Sequence, residues 1–461
     1  MEKTLRLISD AIRGKELDFT SGNINRAIIL LAIPMVLEML MESLFSIVDI
    51  YFVGQVSVDA VATVGLTESV NTLVYSMAMG LAMAATAMVS RRVGEKKKEE
   101  ASHAAVQAIL ISIGLSILIA IPALIFAEDI LRLMGATESV VSTGANYTRI
   151  LLGANIVIIL LFVNNAIFRG AGNANLAMQS LWIANIANII LDPLFIFGIG
   201  PFPEMGVTGA AVATTLGRGI GVAYQTWLLT RGKGILTPKK SSLSIDWKII
   251  RKLLDVASTG AGQFLIASAS WVFLMRITAN FGSETVAGYV IAIRILIFTL
   301  LPAWGIANAA ATLTGQNLGA GKPDRAEKSV WRSAFVNMLF LLTVSIIYFL
   351  FSKTLISFFT DDPKVIEAGV LSLRIFCAGY VFFAYGMVVS QSFNGAGDTR
   401  TPTIINIICF WLIEIPLGYF LAISLGWELA GVCWAAAISE TLLAIIAVII
   451  FRRGKWKTVK I

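Results

Sequence analysis

The sequence predicts an all-α membrane protein, with about 12 transmembrane helices in two six-helix lobes related by a pseudo-twofold axis along the membrane normal. Three observations lead there. Of 461 residues, 57% are apolar and only 14% charged, with a mean hydropathy of +0.80, whereas soluble domains are about a quarter charged. About a dozen windows reach the roughly 20 apolar residues that cross a bilayer as a helix. The chain also matches itself at a constant shift of 225 residues: Val61-Ala62 falls on Val286-Ala287, Gly94 on Gly319, Lys97 on Lys322, Arg149 on Arg374, and Phe168-x-Gly-Ala-Gly172 on Phe393-x-Gly-Ala-Gly397. Each copy holds an even number of spans, so both enter the membrane in one orientation and a pathway runs between the lobes.

Taken in order, residues 1–26 form a polar cytoplasmic segment carrying Lys3, Arg6, Arg13, Lys15 and Arg26, with no signal-peptide core. The N-lobe, 27–230, has spans expected near 27–53, 58–90, 104–127, 143–168, 174–198 and 206–230. A basic cytoplasmic linker, 231–248, contains Pro238 and leads to the C-lobe, 249–452, with spans near 249–280, 284–315, 329–352, 365–393, 401–424 and 429–452. Residues 453–461 are a cytoplasmic tail. Gly94 and Gly319 are expected to end helices in equivalent turns.

Lys and Arg concentrate in segments expected on one side: the two tails, 91–98, Arg169, the linker, 322–332 and Arg400. That bias places both termini in the cytoplasm of a multi-pass protein of the inner or plasma membrane. The net charge of +7 therefore reflects topology and anionic lipid headgroups rather than nucleic acid. His103 is the only histidine, which excludes a His-based metal cluster and a Ser-His-Asp triad. Cys377, Cys409 and Cys433 lie in apolar runs without paired spacing. There is no G-x-x-x-x-G-K-[ST] phosphate cradle. No cofactor and no enzymatic role are expected, and the chain is expected to act as a monomer among membrane lipids.

Chemistry concentrates where one copy keeps polar residues that the other replaces. Asn185, Asn188 and Asp192 form one stripe on the fifth span, and an ionisable group at such depth marks an ion or proton path. At a shift of 225 they become Phe410, Ile413 and Leu417; Asn165 becomes Ser390, Asp49 becomes Leu274, and at a later shift of 222 Thr214 becomes Ala436. Glu38, Glu42 and Asp49 share one face of the first span, where Glu38 and Glu42 are candidate cavity acids and Pro34 a candidate hinge. Glu68 and Glu414 are weaker candidates. Asp49 and Asp192 meeting in one lobe would hold a proton, or Na+ with oxygens from Asn188 and Thr214. Most Phe and Trp fall after residue 246 and most Met before it, so aromatic and Met side chains are candidate cargo walls: Met35, Met39, Gln263, Trp271, Phe298 and Phe376. Arg276 and Arg294 fall in apolar runs and need partners.

These residues resemble the multidrug and toxic compound extrusion (MATE) transporters over almost the whole chain. The likeness rests on Ile33-Pro34, Val48-Asp49 through Val53-Gly54, Phe168-Arg-Gly-Ala-Gly172, Asn188-x-x-x-Asp192-Pro193, Gly206-Val-x-Gly-Ala-Ala-x-Ala-Thr214 and Phe393-Asn-Gly-Ala-Gly-Asp398. The resemblance implies two lobes around a V-shaped cavity and export of amphipathic, often cationic compounds in exchange for H+ or Na+. It implies an N-lobe cation site at Asp49, Asn188, Asp192 and Thr214 with Asn165 associated. Gln263, where some members carry an acid, favours a branch resembling DinF, with coupling in the N-lobe. The rival readings are a lipid-linked oligosaccharide flippase of the same superfamily and an intramembrane enzyme using an aspartate pair.

Overall fold

The computed structural model describes residues 2–14, 18–231, 236, 238 and 240–461. Lys15 and linker residues 232–235, 237 and 239 lie outside them. An amphipathic helix α1 (Glu2–Arg13), rather than an irregular tail, opens the chain. The first half continues with α2 (Ile24–Gly54), α3 (Val58–Gly94), α4 (Lys98–Ile125), α5 (Ala127–Leu133), α6 (Glu138–Gly153), α7 (Asn155–Gly170), α8 (Ala174–Ile196) and α9 (Val207–Thr230). The second half holds α10 (Trp247–Thr278), α11 (Ser283–Gly319), α12 (Pro323–Ser357), α13 (Pro363–Ala396), α14 (Arg400–Asn406), α15 (Ile415–Tyr419) and α16 (Glu428–Arg452). Two π-helical stretches, Ile407–Glu414 and Phe420–Ser424, join α14 to α15 and finish that span.

Sequence punctuation sets the boundaries. Side chains of Asn23, Ser57, Asp246 and Asp362 accept hydrogen bonds from the first backbone N–H groups of their helices, which otherwise lack partners. Among the described residues ten helices are long and apolar enough to cross a membrane; α6 and α7, bent by 40° at Ala154, make an eleventh if taken together. The expected span at 206–230 is present as α9, a 24-residue helix made less apolar by Arg218, Gln225 and a run of Gly and Thr. Pro34, expected as a hinge, sits in a helix that runs unbroken from Ile24 to Gly54. The backbone of α11 packs against that turn at Gly305.

The helices of each half pack among themselves, and the halves meet where α3 packs on α10 and α2 and α3 pack on α11. The seam is reciprocal. A Cβ on Gly80 would stand 2.3 Å from the Ala257 carbonyl oxygen, and one on Gly305 would stand 2.8 Å from that of Met35. At the helix ends, a Cβ on Gly94 would stand 2.0 Å from the Gln316 oxygen, and one on Gly319 would stand 2.1 Å from that of Arg91. Gly94 and Gly319 thus end their helices as expected, but their lack of a Cβ serves close approach rather than a left-handed turn; Lys96 and Gly321 take the positive φ instead.

Both chain ends strap this seam. Lys322 Nζ donates to the Thr20 carbonyl (2.8 Å), and Arg325 donates to the carbonyls of Phe19, Ser21 and Gly22 (3.3, 2.7 and 2.8 Å). Phe19 also packs beside Gly172 of the first half. The C-terminal tail mirrors it: Lys457 pairs with Glu327 on α12 (2.6 Å), while Arg91 and Arg92 donate to the carbonyls of Val459 and Ile461 (2.9 and 3.3 Å).

Two outcomes follow from the seam and strap. Gly94→Ala is expected to lower unfolding stability by about 1–3 kcal/mol through overpacking, while Gly114→Ala, with nothing within 4 Å, is expected to raise it by up to about 1 kcal/mol through helix propensity; denaturation of the purified variants measures both. The Lys457 hydrogen bond holds Glu327 below its ordinary 4.5 and Glu327 holds Lys457 above its ordinary 10.5. The depressed acid contributes above 4.5 and is lost as pH falls through its folded value; the raised base contributes below 10.5 and is lost as pH rises through its own. The stability difference between wild type and Lys457→Met should therefore be flat from pH 5 to 10, checked by thermal melts across that range; a step near neutrality would contradict it.

Candidate functional site

Small residues on α9 let it lie close against α8. A Cβ on Gly217 would meet the Ala184 oxygen at 2.8 Å and the Asn188 Cβ at 2.9 Å, and one on Gly221 would meet the Ala184 Cβ at 2.8 Å. Thr214 and Arg218 therefore flank the polar stripe of α8, whose Asn185, Asn188 and Asp192 are all buried. Asn188 Nδ2 donates to Asp192 Oδ1 (3.3 Å) and to Thr214 Oγ1 (3.1 Å). Two buried oxygens remain without partners: Asp192 Oδ2 and Asn188 Oδ1. Buried acceptors of this kind are uncommon in folded proteins because each forfeits its water without replacement.

The acidic stripe of α2 is answered by two arginines. Glu38, 1% exposed, accepts from Arg169 Nη1 (2.6 Å) and Asn165 Nδ2 (2.9 Å) through Oε1. Glu42 accepts from Asn185 Nδ2 (3.0 Å) and Arg218 Nη2 (3.4 Å). Arg218 also donates to the Tyr75 hydroxyl (3.4 Å) and lies over the rings of Phe45 and Phe162, 5.4 and 6.0 Å from their centroids. Its Nε and Nη1 have no hydrogen-bond partner. Asp49 is half-buried and makes no direct bond to Asn188 or Thr214, but it is an electrostatic neighbour of Asp192, Arg218 and Glu68.

Several expectations change. Glu38 does not line an open cavity, because the ion pair with Arg169 closes over it. Asn165 stands apart from the Asp192 cluster: its Oδ1 accepts from Gln225 Nε2 (2.7 Å), and Gln225 in turn accepts from Asn164 (3.1 Å). Arg169, read from the sequence as a cytoplasmic topology charge, is 9% exposed and ion-paired. Arg169, Arg218, Tyr75 and Gln225 were not singled out from the sequence; the one available signal was an arginine inside each of two apolar runs facing unpaired acids in a third.

The expected cargo wall is only partly assembled. Met35 is fully buried under Gly305 in the seam and cannot touch cargo. Phe376 is also buried, stacked at 6.4 Å on Trp271, while Met39 and Gln263 are half-buried and Phe298 is 43% exposed. Between the halves, Arg169, Trp304, Asn308, Gln391 and Asn394 line a small cavity with Met79 and Met83. Arg294, whose partner the sequence left open, is an electrostatic neighbour of Glu68 in the other half. Among the described residues no group of three or more His, Cys, Asp and Glu is placed to hold a metal ion. The chemistry on offer is therefore charge compensation in a lobe interior, with no paired nucleophile and base.

Comparison with known proteins agrees with this geometry. The MatE family model matches residues 34–194 and 261–420, one stretch in each half. The chain is 29% identical over 446 residues to a probable multidrug resistance protein, NorM, of Thermotoga maritima, covering 94% of this chain and 93% of that one. It is 25% identical over 426 residues to a probable multidrug resistance protein, YoeA, of Bacillus subtilis, covering 91% and 92%. Among solved structures, an outward-facing conformation of a multidrug resistance MATE family transporter of the MOP superfamily superposes with a TM-score of 0.90 at 26% identity, over 96% of this chain and 99% of that one. The chain belongs to the MatE family, and it is a multi-pass membrane transporter rather than an enzyme.

Proposed function

We propose that this transporter is a secondary active multidrug exporter, moving organic, often cationic amphipathic compounds outward in exchange for H+ or Na+ taken up in the N-lobe. The names of its relatives support the cargo class. The observation that carries the coupling assignment is the pair of partnerless buried oxygens, on Asp192 and Asn188, beside a second carboxylate, Asp49. A proton on the aspartate pair removes a buried charge. Na+ would take the two carboxylates with the Asn188 amide oxygen and the Thr214 hydroxyl, a hard-oxygen set suited to a hard cation.

Arg218 is the built-in competitor for those carboxylates. It reaches Glu42 at 3.4 Å and also feels Asp49, so a cation arriving at the aspartates releases the guanidinium toward Glu42 and tightens α2 against α9. Charge state at one site then biases how α2 packs, which is the differential interaction a two-state cycle requires. The Lys and Arg bias makes the strapped side cytoplasmic. The protein works as a monomer in the inner or plasma membrane, with small amphipathic cargo and lipids as its partners. A flippase of anionic lipid-linked sugars needs a cationic cleft; here Arg294 is answered by Glu68, and Asp49 adds negative charge, which favours the exporter.

The test is efflux of a fluorescent organic cation from proteoliposomes under separately imposed H+ and Na+ gradients. Asp192→Asn is expected to cut gradient-driven efflux at least tenfold; a variant that keeps wild-type coupled efflux refutes the assignment. Removing Arg218 strands Glu42, so Arg218→Met alone should destabilise by about 3–5 kcal/mol, while Arg218→Met with Glu42→Gln recovers most of that loss. Equilibrium unfolding of the two purified variants measures the difference.

A further inference from the structure

The C-lobe contains an acidic counterpart of this site that residue-by-residue alignment hides. Ala184 O lies against Gly217 in one half and Cys409 O accepts from Ser439 Oγ (2.7 Å) in the other, an offset of 225 on the first helix and 222 on the second. Eleven residues further along α8 the register has changed: Phe195 and Ile196 lie against Gly209, while Leu421 and Ala422 lie against Gly431, an offset of 226. The π-helix Ile407–Glu414 accommodates the added residue, since its wider turn takes one more residue than an α turn. By its end Glu414 has moved from the place of Ile189 to that of Asn188, in the polar stripe. It is 2% exposed, and its Oε2 has no partner.

The residue after Ser439 is Glu440, which stands where Arg218 stands in the N-lobe. Ser270 occupies the place of Phe45, over which Arg218 lies; its hydroxyl donates to the Ala267 carbonyl (2.9 Å), and it is a near neighbour of Glu414. Glu414 and Glu440 are close enough for their charges to act on each other, and no Lys, Arg or His among the described residues acts on either. The other polar groups around them are Cys409 of the π-helix and Tyr289 of α11, the latter fully buried with a partnerless hydroxyl and within electrostatic range of Glu414. Two like charges in a lobe interior with no counter-charge are not sustained in hydrocarbon.

We propose that the C-lobe carries a second cation site, in which the carboxyl groups of Glu414 and Glu440 together hold one monovalent inorganic cation, a proton or Na+, with the Ser270 hydroxyl as a neutral oxygen donor. The burial of Glu414 admits a small ion and excludes an organic one. The site is the N-lobe arrangement with its resident cation removed: where Arg218 compensates Glu42 permanently, Glu440 leaves that position to an exchangeable charge. It gives the exporter reading a second bound charge per cycle but does not depend on the Asp192 assignment.

Infrared difference spectra of the purified full-length protein in liposomes, stepped in pH without Na+ and stepped in Na+ at fixed pH, test it. A component of the protonated-carboxyl band is expected to respond in the wild type, to persist in Asp192→Asn, and to be lost in Glu414→Gln and Glu440→Arg. The arginine variant supplies the internal cation of the other lobe, so it decides the matter if Glu414→Gln does not fold. A component released by pH alone identifies the ligand as a proton, and one discharged by Na+ identifies it as Na+. A wild type without the component, or a folded Glu440→Arg with wild-type spectra in both steps, overturns the proposal. Wild-type efflux in Asp192→Asn sinks the N-lobe reading alone and leaves this one intact.

Discussion

An ionised side chain inside a membrane lobe must meet an opposite charge, and most of this structure's polar architecture follows from that requirement. Arg169 answers Glu38 and Arg218 answers Glu42. Amides add to each pair, Asn165 for the first and Asn185 for the second, as a buried ion pair leans on further hydrogen bonds, although Glu38 Oε2 and Arg218 Nε and Nη1 stay without partners. Against that background the uncompensated oxygens stand out. Asp192 Oδ2 and Glu414 Oε2 are buried carboxylate oxygens without a partner, as is the amide oxygen Asn188 Oδ1, and unlike Glu38 Oε2 none of them belongs to an ion pair among the described residues.

The scaffold that holds these groups is one unit used twice, and the duplication also explains the seam. Equivalent glycines on α3 and α11 face the opposite half, so each close approach occurs in two copies about the axis. On one side of the seam both chain ends cross between the halves, with backbone carbonyls accepting from Arg91, Arg92, Lys322 and Arg325. Opening that side requires the glycine contacts and both straps to let go together, which favours two discrete arrangements over a continuum of partial openings.

Fold class, repeat and span positions were legible in the sequence because they rest on long apolar runs and on recurrence, both insensitive to local detail. The stripe Asn185, Asn188 and Asp192 was legible for the same reason: helical periodicity places it on one face. Arg169 was misread because a charge at the end of a span looks the same whether it anchors topology or turns inward. Met35 was misread because sequence cannot tell which face of α2 meets Gly305. Asn165 was grouped with Asp192 by resemblance, whereas packing of α7 against α9 hands it to Gln225. Glu414 ranked only as a weaker candidate because the repeat was aligned there at an offset of 225, and a π-helix adds one residue without any signature in composition.

The account depends on the N-lobe aspartates handling the driving ion, so the most direct measurement is simultaneous counting of ion uptake and cargo release in vesicles holding wild type, Asp49→Asn or Asp192→Asn. The account expects ion uptake and cargo release to disappear together in both variants while cargo binding persists. Cargo-coupled ion uptake at the wild-type ratio in either variant would contradict it.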